Sequence, residues 1–380
     1  MPIIFKPKVL VGMSGGVDSS VTALLLKKQG YEVIGAFIKN WSDKVGRRQL
    51  CWVEDRRDAL RVAARLHIPL VTFDFEKEFR KQVVDYLYRE YARGRTPNPD
   101  IMCNKWIKFP LLLREAKKTG ADFIATGHYV RLKIKNQKSK IKITNQNAKI
   151  CELYKAKDKT KDQSYFLYTL DQDILKHCLF PLGKLTKKEV RKIAEENNLS
   201  VAKKPDSQGI CFLGEMNMRD FLGKRLKDRP GKITTTRGQV IGRHRGLFSY
   251  TIGQRQGIGI GGRRGEKNEP LYVIKKNLET NTLVVGSGDA PELCTKKAVL
   301  EDIHFIHPNP VSPSEIKKGG RQIKLTAKVR YRAEDVPATL YYEDSQYILY
   351  FDKPERAVTP GQSAVFYNGE KMLGGGVIRQ

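Results

Sequence analysis

A chain of 380 residues is longer than one ordinary hydrophobic core supports, so two or three domains are expected. Its 70 lysines and arginines against 41 acidic residues leave a formal net charge of +29 at pH 7, a balance that calls for a polyanionic partner such as RNA, DNA or an anionic surface. No apolar run reaches the roughly 20 residues of a membrane span, and the first residues lack the apolar core of a signal peptide, so a cytoplasmic protein without membrane association is expected.

From Lys8 to about Ala125, short apolar runs alternate with longer amphipathic stretches. Residues 9–12, 33–38, 70–73 and 123–126 read as buried strands, which is the α/β pattern of a parallel sheet. Between the first two, Val21, Leu24 and Leu25 repeat at helical spacing, Lys27 and Lys28 occupy the last turn and Gly30 follows as a cap, predicting a helix that starts near Asp18. The same period predicts helices over 55–66, 76–91, 111–119 and 187–198. Residues 130–161 form a lysine-dense insertion in which Leu132 and Ile134, then Ile141 and Ile143, alternate with polar residues around a turn, as in an exposed hairpin. Near Asp206 the glycine content rises and an all-β segment begins, with strands expected at 240–241, 272–274 and 283–285. After Ala298, alternating runs at 323–331, 338–342, 347–351 and 363–367 predict a small barrel. The expected division is an α/β catalytic domain over 1–209, a β-rich central domain over 210–295 and a C-terminal β-barrel over 296–380.

Between the first strand and the first helix lies Ser14-Gly15-Gly16-Val17-Asp18-Ser19. Backbone amides and the positive end of the helix dipole converge there, glycines let the chain approach an anion closely, and serine hydroxyls add donors, so the loop suits phosphate. Asp18 can hold a magnesium ion against those phosphates. A Walker loop would carry a lysine directly after its last glycine, and none is present. The run resembles the pyrophosphatase loop of the N-type ATP pyrophosphatases, which implies attack on the α-phosphate of ATP and release of pyrophosphate.

Six cysteines with no CxxC pair exclude a zinc knuckle and do not fit a secreted disulfide framework. Cys51, Cys151, Cys178 and Cys294 suggest nothing beyond packing. Cys103 is different, because it stands three residues beyond Asp100 in Thr96-Pro97-Asn98-Pro99-Asp100-Ile101-Met102-Cys103-Asn104-Lys105. If a helical turn comes after Pro99, the two share a face; Asp100 can then exchange a proton with the thiol, and Lys105 and Lys108 favour its thiolate. The bland alternative is a capping aspartate and a packed cysteine. Cys211 lies in a polar loop, Lys203-Lys204-Pro205-Asp206-Ser207-Gln208-Gly209-Ile210-Cys211, that can carry a thiol to a catalytic face, although alone it reads equally as a buried thiol.

With Gly127-His128-Tyr129, Lys161-Asp162-Gln163-Ser164-Tyr165-Phe166, Gly253-Gln254-Arg255 and Thr359-Pro360-Gly361-Gln362-Ser363, these segments make the chain resemble the bacterial-type tRNA-specific 2-thiouridylases along nearly its whole length. The resemblance implies an N-type ATP pyrophosphatase domain, a small central domain and a C-terminal barrel that grips tRNA. It implies ATP-dependent 2-thiolation of the wobble uridine in tRNAs for Lys, Glu and Gln. Cys103 would be the nucleophile and Cys211 the persulfide carrier, the two forming a transient disulfide, with Asp100 assisting. Gly12, Met13, Ser14, Gly15, Gly16, Val17, Asp18, Ser19, Ile38 and Gly127 would line the ATP site. Asn98, Pro99 and Asp100 would meet the target base, and His128, Lys161, Asp162, Gln163, Arg330, Tyr331 and Gln362 would contact tRNA. ATP and magnesium would be required, sulfur would come from a persulfide relay protein or a cysteine desulfurase, and the enzyme would act as a monomer.

Two departures stand out: the lysine-rich insertion before Lys161 is long, and Gly209 occupies a position where many relatives carry glutamate. Tyr129, Tyr165 and Tyr331 are candidate base-stacking platforms, with core packing the alternative. Gly257, Gly259 and Gly262 match GxGxxG, but no helix-forming stretch comes after them, so no dinucleotide site is expected. An iron–sulfur cluster on Asp100, Cys103 and Cys211 stays open at this point. The competing readings are another ATP pyrophosphatase ligase, against which the cysteine motifs speak, and a non-catalytic RNA-binding protein, against which the intact phosphate loop speaks.

Overall fold

A computed structural model describes residues 6–42, 51–137, 148–206, 218–260, 270–307 and 322–379. The first part of the chain runs β1 (Lys8–Gly12), α1 (Val17–Lys28), β2 (Glu32–Lys39), α2 (Cys51–Leu66), β3 (Leu70–Asp74), α3 (Glu76–Phe79), α4 (Asp85–Ala92), α5 (Pro99–Cys103), α6 (Phe109–Lys118), β4 (Phe123–Ala125), β5 (Arg131–Gln137), β6 (Ala148–Tyr154), α7 (Gln172–Leu175), β7 (Cys178–Leu179) and α8 (Lys187–Glu196). A parallel sheet takes the order β3-β2-β1-β4-β7, with Val9 opposite Val33 on one side and Phe123 on the other. The alternation of a strand is visible in its central member: Leu10 joins the core on one face, while Val9 and Val11 join the core on the other, all three fully buried. Successive strands proceed outward from β1 in one direction and β4 lies in the other, so the order reverses between β1 and β4. Ligands of open parallel sheets bind at such a reversal, beyond the carboxyl ends of the strands.

Two expectations shift here. Residues 70–73 form the sheet edge instead of a buried strand, leaving Val71 37% exposed. The helix expected over 76–91 is present but passes through a π-helical turn at Arg80–Val84 between α3 and α4. A second π-helical turn, Asn104–Lys108, joins α5 to α6.

The lysine-dense insertion does form a hairpin, β5 against β6, with Arg131 opposite Tyr154; Ile141 and Ile143 lie outside the described residues. Only part of it is exposed. Ile134 is 54% exposed, whereas Cys151 and Leu153 are fully buried, and Glu152 sits 4% exposed with Lys371 Nζ at 2.5 Å and Lys135 Nζ at 2.9 Å.

The central domain contains α9 (Met218–Gly223) and a sheet of β8 (Gly231–Thr235), β9 (Val240–His244), β10 (Tyr272–Asn277) and β11 (Thr282–Gly286) in the order β10-β11-β8-β9, around Ile233, Val273, Leu283 and Val285. The last part is a closed barrel of six strands: β12 (Cys294–Phe305), β13 (Ile323–Lys328), β14 (Val336–Glu343), β15 (Gln346–Arg356), β16 (Ser363–Asn368) and β17 (Lys371–Ile378). Its antiparallel order is β12-β15-β14-β13-β16-β17, and β17 closes onto β12 with Leu300 opposite Ile378. Closure leaves no free sheet edge among these six. The hairpin reaches the barrel where Tyr154 of β6 pairs with Lys371 of β17.

Candidate active site

The phosphate loop leaves the carboxyl end of β1 at the reversal point. Gly16 caps α1 without a side-chain hydrogen bond, so the first-turn amides carry no capping side chain. Gly15 adopts φ +72°, and a Cβ there would stand 2.1 Å from Asp55 O of α2, so glycine is required for the loop to lie against that helix. The loop is braced internally: Ser14 N donates to Ser19 Oγ at 3.1 Å, and Ser19 Oγ donates to Gly16 O at 3.2 Å. Met13 N donates to Ala36 O at 2.8 Å, and Ile38, half-buried, lies further along the same β2 strand. Gly127, just after β4, presses on the start of α1 so closely that a Cβ would lie 2.8 Å from Ser19 N. Gly12 to Ser19 and Gly127 thus come together.

Asp18 belongs to a charge network that local sequence does not announce. Its Oδ1 accepts from Tyr129 Oη at 2.7 Å and from Lys187 Nζ at 2.6 Å. Lys187 Nζ also lies 2.7 Å from Asp206 Oδ1, which accepts from Arg191 Nη2 at 2.8 Å, while Lys161 Nζ donates to Asp206 Oδ2 at 2.5 Å. Burial pushes the Asp206 carboxyl upward, but hydrogen bonds from Lys161 and Lys187 outweigh it and hold the group at about 2. Burial, together with the Asp18 carboxylate, pushes the Tyr129 phenol far above its ordinary value, so it stays a donor. Lys204 completes the support, with Nζ 3.1 Å from Gly15 O, 2.8 Å from Asp55 and 2.7 Å from Asp58.

The helical turn after Pro99 exists as α5. Asn98 caps it by accepting from Asp100 N at 3.1 Å and Ile101 N at 3.2 Å, and Pro99 fills the first turn, where its missing N–H costs nothing. Asp100 and Cys103 therefore share a face; Asp100 is half-buried and Cys103 is 4% exposed. Asn104, 2% exposed, donates from Nδ2 to Phe166 O at 3.2 Å. Cys211 lies outside the described residues. Of the cysteines expected only to pack, Cys151 and Cys178 are buried, and burial first, then the neighbouring Cys151, pushes the Cys178 thiol well up. Cys294, at the start of β12, faces solvent instead.

The residues expected at tRNA are spread differently. His128 is 9% exposed, with Nδ1 2.8 Å from Thr126 Oγ1; burial, then the charge of Lys108, holds it well below the ordinary histidine value and neutral. Asp162 is buried and accepts from Ala156 N at 3.0 Å and Ser164 Oγ at 2.9 Å, while Gln163 Oε1 accepts from Tyr129 N at 3.1 Å. Arg330 Nη2 donates to Arg356 O at 3.4 Å, and Gln362 Nε2 donates to Thr96 O at 2.7 Å. Among the aromatic candidates, Tyr129 and Tyr165 are 1% exposed and belong to the interior; half-buried Tyr331 rests on Phe166, ring centroids 4.4 Å apart. Lys187 and Lys204 escape sequence reasoning because Asp18, Asp55 and Asp58 lie far along the chain, and Arg191 because α8 must first fold against the segment that ends at Asp206; the only signal is Asp206 in the Cys211 segment.

Three family models match in order: the tRNA methyl transferase HUP domain over residues 7–215, the tRNA methyl transferase PRC-barrel domain over 219–287 and the aminomethyltransferase beta-barrel domain over 295–378. The tRNA-specific 2-thiouridylase MnmA of Pseudomonas fluorescens (strain Pf0-1) is 48% identical over 374 residues, covering 98% of this chain and 95% of the relative. That of Streptococcus agalactiae serotype III (strain NEM316) is 47% identical, with the same two coverages. The solved structure of the U34-tRNA thiolase NcsA from Methanococcus maripaludis with its [4Fe-4S] cluster overlaps 55% of this chain and 62% of its own, at TM-score 0.34 and 19% identity. With near-half identity sustained along almost the full length of both chains, and all three domain models matched in sequence, the chain belongs to the tRNA-specific 2-thiouridylase family.

Proposed function

We infer that this protein is a tRNA-uridine 2-sulfurtransferase that uses ATP to replace the 2-oxo oxygen of the wobble uridine with sulfur, in tRNAs for Lys, Glu and Gln. Beyond family membership, the observation that carries the reading is the phosphate loop, glycine-rich and uncapped, at the sheet reversal beside Gly127. The uracil O2 attacks the α-phosphate of ATP, pyrophosphate leaves, and C2 becomes electrophilic. Loop amides and the start of α1 stabilise the departing charge. Magnesium, when bound, would supply further positive charge to the phosphates, and Asp18 is the residue to hold it: Oδ1 is engaged by Tyr129 and Lys187, while Oδ2 has no hydrogen-bond partner among the described residues.

In the sulfur step, the terminal persulfide sulfur of Cys211 attacks C2 and AMP leaves with the former O2. Cys103 thiolate then attacks the Cys211 sulfur, releasing 2-thiouridine and leaving a Cys103–Cys211 disulfide, which an external dithiol reduces before the next cycle. The alternative order, in which Cys103 attacks the persulfide first and frees sulfide, gives the same products. Because Cys103 is only 4% exposed, admitting the base requires the elements around α5 to part, and an anticodon-loop base is already partly unstacked. Sulfur arrives from a persulfide relay protein or a cysteine desulfurase, the enzyme acts as a cytoplasmic monomer, and the domains divide at 1–209, 210–295 and 296–380.

Cys211→Ser tests the reading: pyrophosphate release with tRNA should continue while mass analysis of tRNA nucleosides finds no 2-thiouridine. Full thiolation by that variant would end the assignment of Cys211, and absence of wobble 2-thiouridine with the wild-type protein, ATP, magnesium and a persulfide donor would end the reading as a whole.

A further inference from the structure

Contacts from the barrel and the central domain converge on the short stretch that precedes α5. Thr96, 8% exposed, donates from its N to Pro360 O at 2.8 Å and accepts at its O from Gln362 Nε2 at 2.7 Å, so both of its backbone polar groups are committed to the barrel. Its Oγ1 lies 3.3 Å from Thr251 Oγ1 of the central domain. Next to it, Arg95 pairs with Glu301 of β12 and donates from Nη2 to Ile378 O of β17 at 3.1 Å. Gly361 adopts φ +92°, and a Cβ there would fall 2.8 Å from Thr96 N and 2.9 Å from Thr96 C. Only glycine therefore lets the barrel turn 359–363 lie flat on the Thr96 backbone.

The chain leading from Thr96 into α5 is stiff. Pro97 and Pro99 fix two of the next three φ angles, and Asn98 between them caps the helix that carries Asp100 and Cys103. A displacement of Thr96 is passed along to α5, because the intervening residues have little freedom to absorb it.

We propose that the barrel turn 359–363 is a positioning element of the reaction, in which Gly361 and Gln362 hold Thr96 and so set where Asp100 and Cys103 stand. The proposal rests on the thiolation reading above. It gives the barrel a role in the chemical step that is separate from gripping RNA, and it joins the two: whatever polyanion engages the turn also bears on the catalytic helix. Gln362 is the shared residue, with Nε2 committed to Thr96 and Oε1 without a partner among the described residues.

The test separates binding from chemistry. Gln362→Met keeps the side-chain length and removes the donor, and Gly361→Ala adds the obstructing methyl group. For each, tRNA affinity is measured by equilibrium binding, and single-turnover thiolation is followed at saturating tRNA, ATP and persulfide donor, with thermal unfolding to identify a variant that has lost its fold. The expected result for Gln362→Met is a rate at saturation lowered roughly 10- to 100-fold, the scale of loss caused by an ångström of misplacement. A fall of at least about fivefold supports the proposal whatever the affinity does, and a smaller change overturns it, since Gln362 would then serve RNA binding or nothing. If Gly361→Ala fails to fold, Gln362→Met alone decides. Failure of the thiolation reading itself would show differently, as absence of 2-thiouridine with the wild-type protein.

Discussion

Asp206→Asn removes one negative charge without changing side-chain volume, at a carboxylate on which Lys161, Lys187 and Arg191 converge. The carboxyl stands at about 2 against an ordinary value of 3.8. At 1.36 kcal/mol per unit that displacement corresponds to about 2 kcal/mol favouring the folded state. Because the side chain is 30% exposed, screening by water reduces the expected loss to about 1 kcal/mol at pH 7. The sign is set by the depressed value: the contribution is complete above the unfolded value of 3.8 and is lost as pH falls through about 2. All three tryptophans, Trp41, Trp52 and Trp106, lie in the α/β domain, so denaturant titration monitored by tryptophan fluorescence reports on that domain and, through the Trp41–Phe221 contact, on its packing against α9. Wild type should exceed the variant by about 1 kcal/mol at pH 7, with the gap narrowing between about pH 4 and pH 2. Equal stability at pH 7, or a gap that widens on acidification, would refute the assignment of Asp206 as the charged hub.

Gly127→Ala places a methyl group 2.8 Å from Ser19 N, so the end of β4 must move off the start of α1. A stability loss of about 1–3 kcal/mol and at least roughly tenfold weaker ATP binding are expected by calorimetric titration, and unchanged ATP affinity would contradict the placement of the triphosphate there. Lys276, whose Nζ donates to Tyr250 O at 2.8 Å, is lowered by burial to about 8. Since its unfolded value is higher, the cost of the buried ammonium is complete below about 8 and disappears as pH rises through 10.5. Lys276→Met should therefore stabilise the central domain by roughly 1 kcal/mol at pH 7 and by nothing above pH 10.5, measured by hydrogen exchange in β10 and β11; a less stable variant at pH 7 would count against it.

Elements governed by local signals are legible in the sequence. The cap and period of α1, the helical period of α8 and the Ser14–Ser19 loop arise from neighbouring residues, and the structure places them close to where those signals put them. Features set by distant partners are not. Lys187 reads as an ordinary helix lysine until α8 packs beside α1, and Thr96 reads as a loop residue until the barrel closes on it. The edge position of β3 depends on strand order, which a short apolar run does not encode. The π-helical turns at Arg80–Val84 and Asn104–Lys108 have no distinct periodic signature, so the first reads in sequence as part of a continuous helix. Glycine-rich β17 lacks regular alternation and gives no strand signal, although it pairs with three other strands.

That strand has a consequence for biosynthesis. Ile378 O accepts from Arg95 Nη2 and from Gly361 N, and Ile378 pairs with Leu300 to close the barrel. A ribosome elongating at ~5–20 residues per second needs roughly 15 to 55 seconds to travel from Thr96 to Ile378. Once β7 has been made, the nascent α/β domain can complete its sheet, while Thr96 still waits for Thr251 of the central domain and for Pro360 and Gln362 of the barrel. A polypeptide arrested within β17 would lack the closure of Ile378 on Leu300 and the Arg95 contact to Ile378 O, and so would hold the turn on Thr96 without the closed barrel behind it.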